Sequence, residues 1–81
     1  MYYVYILLSK VVAKTYIGHT DNLKRRLTQH NSGKSYFTNR YKPWIIIHTE
    51  LFNTLEEAIC REKYLKSRSG RRWMKLFLFK S

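Results

Sequence analysis

The chain has 81 residues and carries 16 lysines and arginines against 5 aspartates and glutamates, which leaves a net charge of +11. Apolar residues make up 44% of it and aromatic residues 16%, a composition that excludes an intrinsically disordered segment. The length allows one modest core, so we expect a single domain over residues 1–81, and the charge predicts a polyanionic partner, nucleic acid in the first place, rather than a membrane surface.

Two β-strands are predicted at the start of the chain. Residues 2–8 are rich in aromatic and branched side chains, which favours a strand. The stretch KTYIG at residues 14–18 repeats that character, so we predict a hairpin that turns around residues 10–14. The turn contains no Asn-Gly pair, and the register of the two strands therefore stays open.

A helix is predicted next, over NLKRRLTQHNS at residues 22–32. Thr20 and Asp21 offer side-chain oxygens for its N-terminal cap, and Gly33 is a natural left-handed stop at its end. Residues 34–43 mix basic, aromatic and turn-forming side chains and end in proline, so we interpret them as a loop or a short helical turn.

The rest of the chain predicts one strand and two helices. WIIIHTE at residues 44–50 is typical of a strand buried on at least one face. Thr54 and Glu57 fit a capping box, and the helix that they begin should run to about Ser67, where SRSG interrupts it. Residues 71–80 predict the last helix, with three apolar residues at core spacing: Trp73, Leu76 and Phe77. The predicted order is strand, strand, helix, strand, helix, helix, an α+β fold.

The first helix places a charged residue on its apolar side. At about 100° per residue, Arg26 and His30 fall within the same arc as the leucines Leu23 and Leu27, which should face the sheet. The neighbouring Arg25 points away from that arc, toward solvent. The spacing therefore separates two adjacent arginines and marks Arg26 as the one that lies near the core.

The later helix repeats this feature with a carboxylate. Glu62 falls in the middle of the apolar arc, whereas Glu56 and Glu57 lie off it. A charge brought toward the interior costs several kcal/mol unless it is paired or binds an ion. One alternative is an internal salt bridge between Arg26 and Glu62; the other is that both residues serve chemistry at the edge of the core.

Two tripeptides resemble the signature of the GIY-YIG nucleases. The second triplet is present unchanged at residues 16–18, and the first appears as Tyr3-Val4-Tyr5, with tyrosine in place of glycine and valine in place of isoleucine. Tyr5 and Tyr16 are eleven residues apart, which is the family's spacing.

The resemblance extends over essentially the whole chain. Arg26 follows Tyr16 by ten residues, His30 lies one turn further along, and Glu62 within EEAICREKYLK matches the family's metal-binding glutamate. The stretches QHNSG and EA…RE…LK are most similar to the small, stand-alone bacterial members. The family fold is a three-stranded antiparallel sheet flanked by helices. Some members carry an asparagine about three turns beyond the glutamate, where this chain has Met74.

The resemblance implies a metal-dependent endonuclease that hydrolyses phosphodiester bonds in DNA, structured or damaged DNA included. In the implied roles, Tyr16 is the general base and Arg26 stabilises negative charge on the phosphate. His30 receives or relays a proton, and Tyr5 hydrogen-bonds to the water or the phosphate. Glu62 holds a single Mg²⁺ or Mn²⁺, largely completed by waters and substrate phosphate.

The inventory of acidic and metal-binding residues agrees with one ion. Of the five carboxylates, only Glu62 lies on a predicted inward stripe, which argues against a two-metal site bridged by several carboxylates. His19, His48 and Cys60 make no zinc spacing, so we interpret them as ordinary residues. Contacts to the phosphate backbone are expected from the remaining exposed cations: Lys24, Arg25, Lys34, Arg40, Lys42, Arg71 and Arg72.

A non-catalytic module that binds DNA or RNA is the alternative function. In that case Tyr36, Phe37 and Tyr41 would stack on bases within the basic field. A basic component of a ribonucleoprotein is a weaker version of the same idea. The choice between DNA and RNA, and the presence of an oligomer or a protein partner, stay open.

The compartment is predicted from what the sequence lacks. The single cysteine cannot form an internal disulfide, and no basic region precedes the short apolar run at the N-terminus, so we expect no signal peptide. No apolar run approaches the length of a spanning helix. We expect a cytoplasmic protein without an organic cofactor.

Overall fold

The computed structural model describes residues 1–33 and 36–79. In this part of the chain there are three strands, β1 (Tyr2–Ser9), β2 (Thr15–Thr20) and β3 (Trp44–Phe52), and four helices, α1 (Leu23–Asn31), α2 (Tyr36–Asn39), α3 (Leu55–Lys66) and α4 (Arg68–Phe77). The predicted α+β class and the order of the elements are confirmed, with the single turn of α2 lying where a loop or short helical turn was expected. None of these helices has the length and apolarity needed to cross a membrane.

The three strands form one antiparallel sheet in the order β2-β1-β3. Tyr5 at the centre of β1 lies opposite Gly18 on one side and Thr49 on the other. The hairpin register that the sequence left open pairs Leu8 with Thr15. The Ser9 hydroxyl accepts hydrogen bonds from two backbone N–H groups of the turn, which gives that turn its partners without an Asn-Gly pair.

Helices cover both faces of the sheet because the residues of β1 alternate between them. Tyr5 and Leu7 point to the face covered by α1, where Trp44 is also buried. Val4 and Ile6 point to the opposite face, which α3 and α4 cover. The small core is therefore divided into two thin layers, and α1 and α3 lie on opposite sides of the sheet.

The cap of α1 differs from the prediction. Asn22, and not Thr20 or Asp21, accepts the hydrogen bond from the Arg25 backbone N–H, at 3.0 Å. The Thr20 hydroxyl instead accepts from the Asn22 N–H, and Asp21 pairs with the Arg25 side chain at the surface. The predicted left-handed stop is confirmed, since Gly33 has a φ of +85°.

The junction of α3 and α4 is shorter than predicted. The capping box of Thr54 and Glu57 is confirmed, and α3 ends at Lys66. Ser67 then closes α3 with its N–H and caps α4 with its hydroxyl, which accepts from the Gly70 N–H. The predicted interruption is confirmed at Ser67 but is limited to that residue, because a single serine serves both helix ends and α4 begins at Arg68.

The apolar side of α4 also differs from the prediction. Met74 is buried and Trp73 is partly buried, whereas Leu76 and Phe77 are 60% and 61% exposed. The predicted core positions of Leu76 and Phe77 are therefore wrong. The helix packs with only one narrow side, because among residues 1–33 and 36–79 no further element covers its other side.

We predict that Gly70→Ala strongly destabilises the fold. A Cβ at this position would lie 2.1 Å from the Tyr64 carbonyl oxygen and 2.4 Å from the Leu65 Cα, so α4 would have to move away from α3. A loss of about 3 kcal/mol or more in the free energy of unfolding is expected, measured by urea denaturation. Ser69→Ala, at the exposed neighbouring position, is the control and should stay within about 0.5 kcal/mol of the parent.

Candidate active site

A pocket of about 420 Å³ opens at the β2 edge of the sheet. Four of the five predicted catalytic residues line it: Tyr5, Tyr16, Arg26 and Glu62. The remaining lining residues are Gly18, His19, Thr20, Arg25 and Gln29. The phenols and the guanidinium come from the α1 side of the sheet, while the carboxylate comes from α3. The edge strand is thus where groups from opposite faces meet.

Gly18 allows the two phenols to lie together across this edge. It is the direct partner of Tyr5 in the ladder, and a Cβ on it would lie 2.6 Å from the Tyr5 hydroxyl and 3.1 Å from the Tyr16 ring. The two tyrosine rings are stacked with their centroids 6.3 Å apart. Any side chain at residue 18 would displace the Tyr5 ring, so the glycine of the triplet is required by packing.

Behind the pocket, a chain of hydrogen bonds holds the Tyr5 hydroxyl. It lies 3.0 Å from the His30 Nε2, and the His30 Nδ1 lies 2.9 Å from the Thr38 hydroxyl. Because Arg26 donates to the Tyr5 oxygen, the consistent assignment has Tyr5 donating to Nε2 and His30 donating from Nδ1 to Thr38. His30 and Thr38 are both fully buried.

This surrounding fixes the protonation of Tyr5 and His30. Burial raises the pKa of Tyr5 above its ordinary value, although the hydrogen bond from Arg26 opposes the rise, so the phenol keeps its proton at neutral pH. Burial, together with the nearby positive charge of Arg26, lowers the pKa of His30 to about 4. The imidazole is therefore neutral at neutral pH.

Arg26 brings a fixed positive charge to the pocket. Its Nε donates to the Tyr5 hydroxyl at 3.4 Å, and a terminal nitrogen donates to the Gln29 side chain at 3.0 Å. The hydrogen bond with Tyr5 raises the pKa of the guanidinium, and the Tyr16 phenol adds to this effect. Arg25 is exposed and pairs with Asp21, although it also reaches the mouth of the pocket. The predicted separation of the two arginines is confirmed.

Glu62 faces the pocket as a carboxylate whose side chain is 17% exposed. Its Oε1 lies 2.5 Å from the His19 Nδ1, and its Oε2 accepts from the Lys66 Nζ at 2.6 Å. Burial alone would raise the pKa of Glu62, but the hydrogen bonds from Lys66 and His19 outweigh it and the pKa is lowered. The expected alternative of an Arg26–Glu62 salt bridge is wrong, because the glutamate pairs with Lys66 and His19 instead.

The donor set of the pocket fits a weakly coordinated divalent ion. In the described part of the chain, no three His, Cys, Asp or Glu side chains gather closely enough to enclose a metal. Glu62 offers one carboxylate with about four lone-pair positions, of which His19 and Lys66 occupy two. Mg²⁺ is commonly bound in this way, by one or two carboxylates plus waters and phosphate oxygens.

Among the other predicted residues that the structure describes, Arg25 lines the pocket and the rest do not. His30 contacts two residues that line it, through its hydrogen bond to Tyr5 and through its ring, whose centroid lies 4.7 Å from that of Tyr16. Among the cations expected to contact phosphate, Arg71 lines a neighbouring groove, while the exposed side chains that line neither cavity are Lys24, Arg40, Lys42 and Arg72. Lys34 falls outside the described residues, as do the side chains of Tyr36 and Phe37.

A second carboxylate is as shielded as Glu62, contrary to the expectation that only one would be. Glu50 on β3 has a side chain that is 21% exposed and accepts two hydrogen bonds from Arg61, at 2.8 and 3.0 Å, and one from His48. The Arg61 guanidinium lies over the rings of both Tyr64 and Trp73. This cluster lies on β3, at the opposite edge of the sheet from β2 and the pocket. The Glu50 carboxylate is bound there by Arg61 and His48.

Sequence reasoning missed three residues that contact the proposed catalytic groups. His19 was interpreted as ordinary, yet it holds Glu62; Lys66 holds the same carboxylate, and Gln29 holds Arg26. Two of them had a local signal, because Lys66 follows Glu62 by four residues and Gln29 follows Arg26 by three on their helices. The signal for His19 was the alternation of β2, which places it on the same face as Ile17, toward α3.

Comparison with known families identifies a match over nearly the whole chain. The model of the GIY-YIG catalytic domain matches residues 1–76. A UPF0213 protein of Staphylococcus haemolyticus is 33% identical over 76 residues, which cover 93% of this chain and 92% of that protein. A UPF0213 protein of Streptococcus pyogenes is 39% identical over 71 residues, covering 85% of this chain and 75% of the relative. These names state no activity.

A solved structure has the same fold. The solution NMR structure of a UPF0213 protein from Bacillus halodurans is 35% identical in sequence and superimposes with a TM-score of 0.57. The match covers 99% of this chain and 86% of the other. The similarity therefore includes the sheet, the helices on both faces and the edge at which the pocket opens.

We predict that the free energy of unfolding falls as the pH is lowered from about 6.5 to about 4, because in this range His30 takes up a proton in the unfolded chain but not in the folded one. Urea denaturation at several pH values measures this slope. His30→Gln keeps polar groups facing Tyr5 and Thr38 but does not titrate. An unchanged slope in that variant would contradict the assignment. The loss of stability expected from protonation of Glu50 and Glu62 lies at lower pH and should persist in the variant.

Proposed function

Since this chain belongs to the GIY-YIG family of nucleases, we propose that it is a metal-dependent endonuclease that hydrolyses phosphodiester bonds in DNA. Nucleases of this family act on nucleic acid and generally use divalent metal ions. The observation that carries the proposal is the pocket at the β2 edge, in which two guanidiniums, one carboxylate and two phenols face the same space of about 420 Å³. Packing alone does not require this combination.

Arg26 is proposed to bind the scissile phosphate. A guanidinium suits phosphate geometry, and this one is held in place by Tyr5 and Gln29 before any substrate arrives. During hydrolysis, a water oxygen bonds to phosphorus while the bond to one ester oxygen breaks, and negative charge increases on the phosphate oxygens. A charge that is already positioned stabilises this state without reorganisation.

Tyr16 is proposed to be the general base: its phenol gives up its own proton to solvent with help from the nearby positive charge of Arg26, and the oxygen then accepts the proton of the attacking water. Tyr5 is proposed to position the water or the phosphate. Tyr5 is not assigned this role, because its raised pKa keeps the phenol protonated and its hydroxyl is already held by His30 and Arg26. His30 is buried and neutral, so its proposed role is that of a positioning residue that acts through the Tyr5 hydroxyl. Transfer of a proton between His30 and the pocket would pass through the Tyr5 hydroxyl.

Glu62 is proposed to hold one Mg²⁺, for which Mn²⁺ can substitute. When bound, the ion supplies positive charge that favours ionisation of a water and stabilises the phosphate. The protein's own contribution is to keep the carboxylate ionised, which the lowered pKa of Glu62 supports. It also keeps that carboxylate directed into the pocket, through its contacts with His19 and Lys66.

One observation favours the alternative of a non-catalytic module that binds nucleic acid. Both oxygens of Glu62 already have partners on the chain, so this glutamate could serve only to bind the side chains of Lys66 and His19. Against this alternative, Tyr41 was expected to stack on bases, but its ring is already covered by the cations of Lys14 and Arg40. Removal of Glu62 separates the two functions.

We predict that Glu62→Ala lowers the Mg²⁺-dependent rate of DNA cleavage by about a thousandfold or more, because the pocket loses its only carboxylate among the described lining residues. Binding of DNA should be retained, since the change removes a negative charge from a basic surface. Single-turnover cleavage and fluorescence anisotropy measure the two quantities. Glu56→Ala on the same helix removes the same charge at an exposed position and is the control. Equal cleavage by Glu62→Ala and the parent would refute the mechanism.

The adjacent arginines provide a second, matched pair. Arg26→Ala should lower the cleavage rate at saturating DNA by about 100- to 1,000-fold, because the charge beside the phenols is lost. Arg25→Ala should leave that rate within about threefold of the parent but weaken binding and reduce the salt slope by about 1. Rates and affinities at several salt concentrations distinguish the two outcomes. If both variants lost only affinity, Arg26 would be a backbone contact like its neighbour.

A further inference from the structure

A second cavity lies beside the catalytic pocket and is here called the side groove. It has a volume of about 470 Å³, and Tyr16 lines both it and the pocket. Its floor and walls come from the β2 edge and from the α3–α4 layer: Thr15, Tyr16, Ile17, Leu65, Met74 and Phe79. A cavity of this size is within the range that encloses small-molecule groups in proteins.

The inner surface of the side groove is apolar and partly aromatic. Leu65 is fully buried and Met74 is 5% exposed, so both form the base, whereas Phe79 remains 37% exposed at the side. Gly70 allows α4 to approach α3 closely, and Leu65 and Met74 belong to one buried cluster between these helices and the sheet. The groove therefore presents flat, apolar contact area to a group that can enter it.

The rim of the side groove is cationic. Lys66, Arg71 and Lys75 line it, and no carboxylate in the described part of the chain lines it with them. Arg71 and Lys75 are exposed and lie one turn apart on α4. Lys66 also donates to Glu62 in the catalytic pocket, so it stands at the border of the two cavities. The complementary ligand has an apolar, planar part and negative charge beside it.

Resting on the function proposed above, we propose that the side groove takes an unpaired nucleotide of the strand that is cut, next to the scissile phosphate. A nucleobase is planar and stacks on aromatic and apolar side chains, while its phosphates would meet the cationic rim. Within a continuous duplex, bases are paired and stacked, so they cannot enter a cavity at a protein surface without being extruded. The substrate class is therefore DNA with a frayed, bulged or branched nucleotide.

Continuity with the catalytic pocket favours a nucleotide over other anionic ligands with an apolar part. A phosphate at Arg26 and a base in the side groove would lie on either side of the shared Tyr16. An isolated amphiphile would not require this adjacency. A strand that passes from one cavity to the other uses the cations at the rim as phosphate contacts on its path.

The test measures binding in EDTA, so that it does not depend on cleavage. Fluorescent DNA hairpins are compared in three forms: fully paired, with one unpaired base, and with an abasic site in place of that base. The parent should bind the form with the unpaired base about tenfold more tightly than the other two, because one base is transferred to the groove. Equal affinity for all three forms would overturn the proposal.

Two pairs of variants locate the effect. Arg71→Ala with Lys75→Ala removes two rim charges, and Arg68→Ala with Arg72→Ala removes two charges at the same spacing on α4 that do not line the groove. Both doubles should lose overall affinity, but only the first should also lower the preference for the unpaired base. Phe79→Ala should lower that preference as well, whereas Phe77→Ala, which is 61% exposed and outside the groove, should not.

Retention of the full preference in both groove variants would assign the preference to another surface and refute the proposal. Thermal unfolding of each variant verifies that the fold is kept. Cleavage of the same hairpins in Mg²⁺ is assayed separately. A preference for the unpaired base without cleavage would refute the proposed enzymatic function while the nucleotide site stands, and cleavage without any preference would do the reverse.

Discussion

The candidate active site depends on the position of one hydroxyl, that of Tyr5. It lies above Gly18 on the edge strand, within hydrogen-bonding distance of the buried His30, and it accepts from Arg26. Burial keeps His30 neutral, so the imidazole can accept from the phenol and donate to Thr38 on α2. A charged imidazole could only donate. The position of Arg26 therefore depends on the absence of a side chain at Gly18 and on the neutral state of His30.

The parts of the site that could be predicted from sequence are those set by the repeat of a single helix. The period of α1 separates Arg26 from Arg25, and the period of α3 separates Glu62 from Glu56. The same period does not say on which face of the sheet a helix packs. Because α1 and α3 lie on opposite faces, the two charges reach the pocket from different sides of β2, and Glu62 pairs with His19 and Lys66.

The errors at the end of the chain have a related cause, since local rules describe a residue's own conformation and not its neighbours. The stretch SRSG suggested a longer break between the helices, yet Gly70 lies inside α4 at a position where Tyr64 and Leu65 leave no room for a Cβ. Leu76 and Phe77 have core spacing, but no element in the described part of the chain covers them and they remain exposed. The cap of α1 was mispredicted for a similar reason. Thr20, Asp21 and Asn22 all carry side-chain oxygens that can cap a helix, and the backbone conformation places that of Asn22 at the helix start.

The distribution of charge shows which part of the surface can discriminate among nucleic acids. With a net charge of +11, the protein attracts phosphates on every DNA, and such contacts position a strand without distinguishing its structure. In the proposed function, Arg26 and Glu62 add contacts to the phosphate and its ion, which are also the same in every DNA. Contact with a base supplies a discrimination that these phosphate contacts lack. Beside the pocket, the side groove joins an apolar floor at Met74 and Phe79 to cations at its rim, so a structural preference should originate there rather than in the catalytic residues.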